Sequence, residues 1–259
     1  MIEGLLLDID GVLTVSWEPI PGSVQAIDRL RADRVPFRLI TNTTTHTRRE
    51  LAQILRTTGF DVRVEEIITA VVATSRYLRA AHPGAGVFVL SDGRPGADME
   101  GINLVDEPES ADVVVLGGAC SGFAYDTINR IFRALAGGAA LVAMHRNFYW
   151  ETGHGLELDA GGYVLGLEAA TGITATVCGK PTPAYFSAAL EMLGLPAGRT
   201  AMVGDDLTND VIGAQTVGLT GILVRTGKFR DSDLLQGKGK PDHVVGSMAD
   251  VPDLISGNR

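Results

Sequence analysis

Leu5-Leu6-Leu7-Asp8-Ile9-Asp10-Gly11-Val12-Leu13-Thr14 is the stretch on which the fold turns. The leucine run reads as a first β-strand that delivers Asp8 at its end. Residues i and i+2 of an extended segment point to the same side, so Asp8 and Asp10 can share one face. Two neighbouring carboxylates repel, which raises the pKa of one of them. That split yields one ionised group and one able to hold a proton, the division of labour of an acid/base pair. Gly11 then lets the backbone turn away tightly. The plainer alternative is a carboxylate pair that closes a strand into a turn.

Outward from this strand, short apolar runs alternate with helical patterns, the signature of an α/β fold with a parallel sheet. Val24, Ile27 and Leu30 repeat at helical spacing. Phe37 to Ile40 reads as a strand ending at Thr41-Asn42, and 47–58 as a helix stopped by Gly59. A strand near 65–70 and a helix to about Arg79 follow. Pro83-Gly84 breaks the series, and a second α/β set begins. It has strands near 87–90, 113–116 and 140–144 and a helix near 125–136, with Gly117-Gly118, Gly137-Gly138 and Gly161-Gly162 as breakers. The first style resumes near Thr176. Gly179-Lys180-Pro181 opens a helix with Pro181 in its first turn. Ala201-Met202-Val203 is a strand ending in Gly204-Asp205-Asp206, Gly221 to Val224 is another, and 243–245 suits an edge strand. The expected architecture is a sheet domain built from residues 1–79 and 176–259, with a second α/β unit inserted over 80–175.

Four polar clusters fall beyond strand ends or at a helix start: Asp8-Ile9-Asp10-Gly11, Thr41-Asn42, Gly179-Lys180-Pro181, and Gly204-Asp205-Asp206 with Asp210. Open α/β sheets bind ligands outside the carboxyl ends of their strands, so the four can converge on one pocket. Taken alone, Asp206 and Asp210 suit helix capping and dipole compensation. Gathered near Asp8, these acids need a cation: at ~4 Å and an effective dielectric of ~20, each like-charge pair costs about 4 kcal/mol. Hard carboxylate oxygens suit Mg²⁺. The five histidines are scattered without zinc-ligand spacing. Lys180 supplies a compact cation for a phosphate or for Asp8 itself. Thr41 and Asn42 supply a hydroxyl, an amide and backbone N–H groups for phosphate oxygens. The chemistry that fits is two-step phosphoryl transfer, with Asp8 as nucleophile forming an aspartyl-phosphate and Asp10 as general acid and then base.

In this order and spacing the clusters resemble the four motifs of the haloacid dehalogenase (HAD) superfamily. Asp8-Ile9-Asp10-Gly11-Val12-Leu13-Thr14 is similar to the first motif, Thr41-Asn42 to the second, Lys180 to the third, and Gly204-Asp205-Asp206 with Asp210 to the fourth. An insert between the second and third resembles the C2 cap of the NagD-like subclass IIA. The run Thr41 to Thr44, with Gly204-Asp205-Asp206, is similar to the branch of haloacid dehalogenase-like hydrolase domain-containing protein 2 and phospholysine phosphohistidine inorganic pyrophosphate phosphatase. The resemblance implies a Rossmann-like HAD core with an inserted C2-type cap and a HAD-type phosphoric monoester hydrolase. It implies Mg²⁺ held by Asp8, the backbone carbonyl of Asp10, and Asp205. Asp210 would support the site, paired with Lys180, and Asp206 would assist. Many members of that branch carry Ser where this chain has Asp10; the acid here implies phosphomonoesterase competence and argues against dehalogenation.

The substrate expected is a small phosphomonoester, with pyrophosphate or a phosphoramidate as the alternative. A single-turnover phospho-acceptor, or a non-catalytic binding protein on the same scaffold, is the rival reading. A lone phospho-acceptor domain leaves the insert unexplained, and Gly84-Ala85-Gly86 precedes a strand, unlike a dinucleotide loop. In the insert, His145-Arg146-Asn147-Phe148-Tyr149-Trp150 mixes donors and aromatics suited to reading a leaving group, or to plain packing by Phe148 and Trp150. Gly84 and Gly179 are candidate hinges.

The formal net charge of −9 argues against general nucleic-acid binding, which needs clustered Lys and Arg. No apolar run approaches the ~18 residues of a membrane span. Two distant cysteines, Cys120 and Cys178, make no disulfide framework. The expected setting is cytoplasmic, without membrane or nucleic-acid partners, and a homodimer is left open.

Overall fold

The computed structural model describes residues 2–152, 155–235 and 239–257. The chain divides into two compact units. One comprises Met1–Thr41, Arg48–Ile68 and Lys180–Arg259, and the other Asn42–Thr47 and Thr69–Gly179.

The first unit is organised by a six-stranded sheet. Its order is His243–Val245, Thr220–Val224, Thr200–Gly204, Gly4–Asp8, Phe37–Thr41, Ile67–Thr69. Gly4–Asp8 pairs in parallel with Thr200–Gly204 on one side and with Phe37–Thr41 on the other. The chain therefore leaves this central strand toward one edge and later returns to build the other. That reversal opens a crevice at the strand's carboxyl end, where Asp8 sits. Leu5, Leu6 and Leu7 are fully buried, as expected of a strand covered on both faces. Each such leucine contributes roughly 1.5–3 kcal/mol of burial. Leu5 and Leu7 share a core with Ile27 and Leu30 of the helix Ser23–Ala32, and with Leu51 and Leu55 of the helix Arg48–Thr57.

The second unit has its own parallel sheet, ordered Thr176–Val177, Ala140–Ala143, Val113–Leu116, Gly86–Leu90, Asn103–Leu104. The helix Ala70–Ala81 belongs to it. Its Ala70, Val71 and Leu78 pack with Val87, Val113, Val115 and Val142. The second unit thus begins at Thr69 in this part of the chain, ahead of the boundary expected at residue 80.

Two local expectations are corrected. Gly161-Gly162 lies inside the helix Ala160–Thr171, which starts from Asp159, whose carboxylate accepts the Ala160 N–H at 2.7 Å. A β-carbon at 161 would come within 2.6 Å of the carbonyl oxygens of Arg146 and Asn147, so glycine here answers close backbone approach. Pro181 precedes its helix rather than opening it. Thr182 is the N-cap and Pro183 takes the first turn of Pro183–Leu193.

Candidate active site

Asp8, Lys180, Asp205 and Asp210 meet at the carboxyl end of the first sheet, and all four are buried. Lys180 Nζ stands 2.8 Å from Asp8 Oδ1 and 2.7 Å from Asp210 Oδ1. One carboxylate oxygen from each of Asp8, Asp205 and Asp210 can be chosen so that all lie within 4.8 Å of one another. Thus residues from both ends of the chain, about 200 positions apart in sequence, share one small volume.

Each acid is placed by its element. Asp8 ends its strand, and its Oδ1 accepts the Ile9 N–H at 2.9 Å. Asp205 follows Thr200–Gly204, the neighbouring strand. Its Oδ2 accepts the Lys228 N–H at 2.7 Å, while Oδ1 is buried without a hydrogen-bond partner. Gly11 and Gly227, both at positive φ (83° and 59°), clear the space that this carboxylate occupies: a β-carbon at either would collide with Asp205 Oδ2. Thr226 Oγ1 donates to the Gly11 carbonyl at 2.5 Å, joining the two glycine turns. Asp210 lies in the π-helical turn Leu207–Ile212 and accepts the Asp206 N–H at 3.2 Å. Gly204 leaves room for it, since a β-carbon there would overlap the Asp210 side chain.

The electrostatics follow from this crowding. Burial acts to lower the Lys180 pKa, but Asp210 and Asp8 outweigh it, so the ammonium is held charged well above its ordinary range. Burial, then the charge on Asp8, pushes Asp205 up to about 7. The nearby lysines do not offset this rise, and Asp205 Oδ1 is left without a partner. A hard divalent ion, held by oxygen donors, would meet both. Asp10 keeps contact with solvent but is closely surrounded by protein atoms. That crowding, then the charge on Asp8, raises its carboxyl pKa.

Of the remaining expected residues, Asp206 takes the capping alternative. Its Oδ1 accepts the Thr208 and Asn209 N–H groups at 3.0 and 2.9 Å. Thr41 is the buried last residue of Phe37–Thr41. The buried Tyr185 hydroxyl accepts the Thr41 N–H at 3.1 Å and lies 3.1 and 2.9 Å from the carbonyls of Thr41 and Ile68, which share its single proton. Asn42 groups with the second unit. Within that unit, His145 is buried 3.8 Å from Asp159, Arg146 pairs with Glu168, and Phe148 is exposed, not packed. The side chain of Trp150 lies outside the described residues.

Sequence reading missed Lys228. Burial acts to lower its pKa, yet Asp8 and Asp205 outweigh this and raise it, so a second cation faces the acids. The signal was present: Thr226-Gly227-Lys228 follows the strand Thr220–Val224, one more strand-end loop of this sheet.

Comparison with known proteins agrees with the geometry. The family model described as haloacid dehalogenase-like hydrolase matches residues 5–104, and the one described as HAD-hyrolase-like matches 177–251. Haloacid dehalogenase-like hydrolase domain-containing protein 2 of Pongo abelii is 38% identical over 232 residues, covering 90% of this chain and 87% of the relative. This chain belongs to the haloacid dehalogenase-like hydrolase family.

Further relatives place this HAD hydrolase more closely. Phospholysine phosphohistidine inorganic pyrophosphate phosphatase of Rattus norvegicus is 35% identical, with 98% of this chain and 94% of the relative covered. Among solved structures, the p-nitrophenyl phosphatase from Archaeoglobus fulgidus superposes with a TM-score of 0.91 at 28% identity, over 98% of this chain and 99% of that one. NagD from E. coli K-12 superposes at 0.87 and 25% identity, over 96% and 98%. The HAD hydrolase is thus an enzyme of the NagD-like phosphatase group. No described helix is long and apolar enough to cross a membrane.

Proposed function

We propose that this HAD hydrolase is a Mg²⁺-dependent phosphatase of small phosphomonoesters that works through an aspartyl-phosphate on Asp8. The observation that carries the reading is the placement of Lys180 between Asp8 and Asp210, with the Asp205 carboxylate beside them. Asp8, the backbone carbonyl of Asp10, and Asp205 would hold the ion. When bound, Mg²⁺ supplies positive charge to the phosphoryl oxygens.

The chain's own residues then divide the work. Lys180, held charged by its two carboxylates, sets a positive charge beside Asp8 and neutralises the transferring group. An Asp8 carboxylate oxygen attacks phosphorus as the ester oxygen leaves. Asp10, whose raised pKa suits it to carry a proton, gives that proton to the leaving oxygen and later takes one from the attacking water. Thr41 and Asn42 are assigned to phosphate oxygens, Asp210 supports the metal side of the site, and Asp206 assists by capping the turn that carries Asp210.

The test is a panel of phosphate esters, led by p-nitrophenyl phosphate, assayed with Mg²⁺ and with EDTA. Multiple turnovers that EDTA removes and Mg²⁺ restores are expected. One labelling event per molecule would support the phospho-acceptor alternative instead. The similarity to the phospholysine phosphohistidine inorganic pyrophosphate phosphatase gives a second reading a specific basis, so pyrophosphate and a phosphoramidate belong in the panel.

A further inference from the structure

The segment after the strand Phe37–Thr41 changes unit at once. Thr41 is anchored to Tyr185 within the first unit, while Asn42–Thr47 packs with the second. What holds these six residues there is a compact polar knot.

Thr44 Oγ1 donates to Asp92 Oδ1 at 2.5 Å and accepts the Gly118 N–H at 3.2 Å. The Asp92 N–H donates to the Gly118 carbonyl at 2.8 Å, closing the ring of contacts through Asp92, Gly118 and Thr44. Ser91 Oγ donates to the same Asp92 oxygen at 3.3 Å. Thr44 is buried, so its hydroxyl cannot turn to water instead. Two glycines make the approach possible. At Gly93 (φ 67°) a β-carbon would lie 2.6 Å from the Thr44 carbonyl oxygen and 2.5 Å from that of Thr45, and at Gly118 it would lie 2.6 Å from Thr44 Oγ1. Backbone contact this close on two sides of one threonine marks a fixed junction rather than a loose loop.

We infer that Asp92 and Thr44 are positioning residues for the reaction. By locking Thr44 to the loop after Gly86–Leu90, they hold the backbone that carries Asn42 two residues earlier. The inference rests on the proposed role of Asn42 as a phosphate contact, which it deepens by naming what fixes that contact. Asp92 acts through Thr44 and touches no reacting atom. The proposed Asn42 contact serves bound ester and bound inorganic phosphate alike, so loosening it weakens ground-state and transition-state binding equally.

The experiment compares full-length wild type with Thr44→Val, Thr44→Ser, Asp92→Ala and Asn42→Ala, using p-nitrophenyl phosphate as substrate and inorganic phosphate as inhibitor. Amide hydrogen exchange of residues 42–47 is followed in parallel. Thr44→Val and Asp92→Ala should raise KM and the phosphate inhibition constant together by about tenfold, leave kcat within about twofold, and speed exchange at 42–47. Thr44→Ser, which keeps the hydroxyl, should stay near wild type. A merely structural role would instead lower kcat through a smaller active fraction and leave KM alone, which overturns the inference. So does an unchanged KM in Thr44→Val and Asp92→Ala when Asn42→Ala raises it. If Asn42→Ala itself leaves KM unchanged, it is the proposed reading of Asn42 that fails.

Discussion

Lys180 Nζ stands 2.7 Å from Asp210 Oδ1, and both side chains are almost sealed from water. A buried ion pair of this kind adds little over a well-packed apolar pair, but losing one member strands the other charge. Here Lys180 also faces Asp8, so its loss strands two carboxylates. Lys180→Met should therefore abolish turnover and lower unfolding stability by roughly 3–5 kcal/mol, read from urea denaturation. Adding Asp210→Asn, which keeps an acceptor for the Asp206 N–H, should recover part of the stability and none of the activity. A single variant as stable as wild type would contradict the charge argument.

Asp8→Asn separates chemistry from folding. The amide keeps the shape and can still accept the Ile9 N–H, but it is no longer an anionic nucleophile. Turnover of p-nitrophenyl phosphate should fall to background while the circular dichroism spectrum is unchanged. Retained hydrolysis would remove Asp8 from its assigned role.

Gly227 tests how the Asp205 carboxylate is seated. Alanine at this position would push against Asp205 Oδ2 and come within 2.5 Å of the Gly11 α-carbon. Gly227→Ala should raise the Mg²⁺ concentration for half-maximal activity by about tenfold or more, corresponding to ~1.4 kcal/mol of lost binding. In wild type, Mg²⁺ should raise the melting temperature, because an ion that binds only the folded state stabilises it; the variant should need more metal for the same rise.

Glu66 gives the pH dependence of stability. Its buried carboxylate accepts from Arg31 Nη1 and Nη2 at 2.7 and 2.5 Å and from Arg63 Nη2 at 2.7 Å. Burial acts to raise its pKa, and the hydrogen bonds from Arg31 and Arg63 outweigh it, bringing it to about 2 from an ordinary 4.5. A depressed folded-state value stabilises fully above about 4.5, and the contribution is lost as pH falls toward 2. The gap corresponds to about 3 kcal/mol as an upper figure. Glu66→Gln should be less stable than wild type at neutral pH, and the difference should shrink between about pH 5 and 2. A difference constant across that range would show that the ion pairs contribute little.

Tyr185 should matter to the scaffold more than to the chemistry. Its hydroxyl ties the end of Phe37–Thr41 to Ile68 in the neighbouring strand. Tyr185→Phe leaves the Thr41 N–H without this partner and should cost about 1–3 kcal/mol of stability. The melting temperature should drop, with kcat changed less than in Lys180→Met.

The first sheet and its acids were legible because one rule places them all. Asp8 ends a strand and Asp205 follows one directly, and a parallel sheet brings strand ends to one edge. Lys180 and Asp210 needed more, since their closeness to Asp8 depends on how the returning chain packs; the family resemblance supplied it. Asp206 had an ordinary capping alternative, and the hydrogen bonds follow that alternative. What the residues did not show was glycine used for closeness. Gly161 and Gly162 look like breakers by propensity, yet both lie in a helix, and at Gly161 the close approach of the Arg146 and Asn147 carbonyls requires glycine. The helix Ala70–Ala81 is legible as a helix, but its grouping with the second unit is not, because periodicity identifies an apolar face without naming its partner.

The chain passes between its two units four times, after Thr41, Thr47, Ile68 and Gly179. The second unit is therefore no detachable cassette. Excising 80–175 would strip the helix Ala70–Ala81 of its packing partners and leave Asn42–Thr47 with nothing to grip. A graft of the second unit between relatives would have to carry that small six-residue outpost along with the insert, since Thr44 is moored to Asp92 and Gly118.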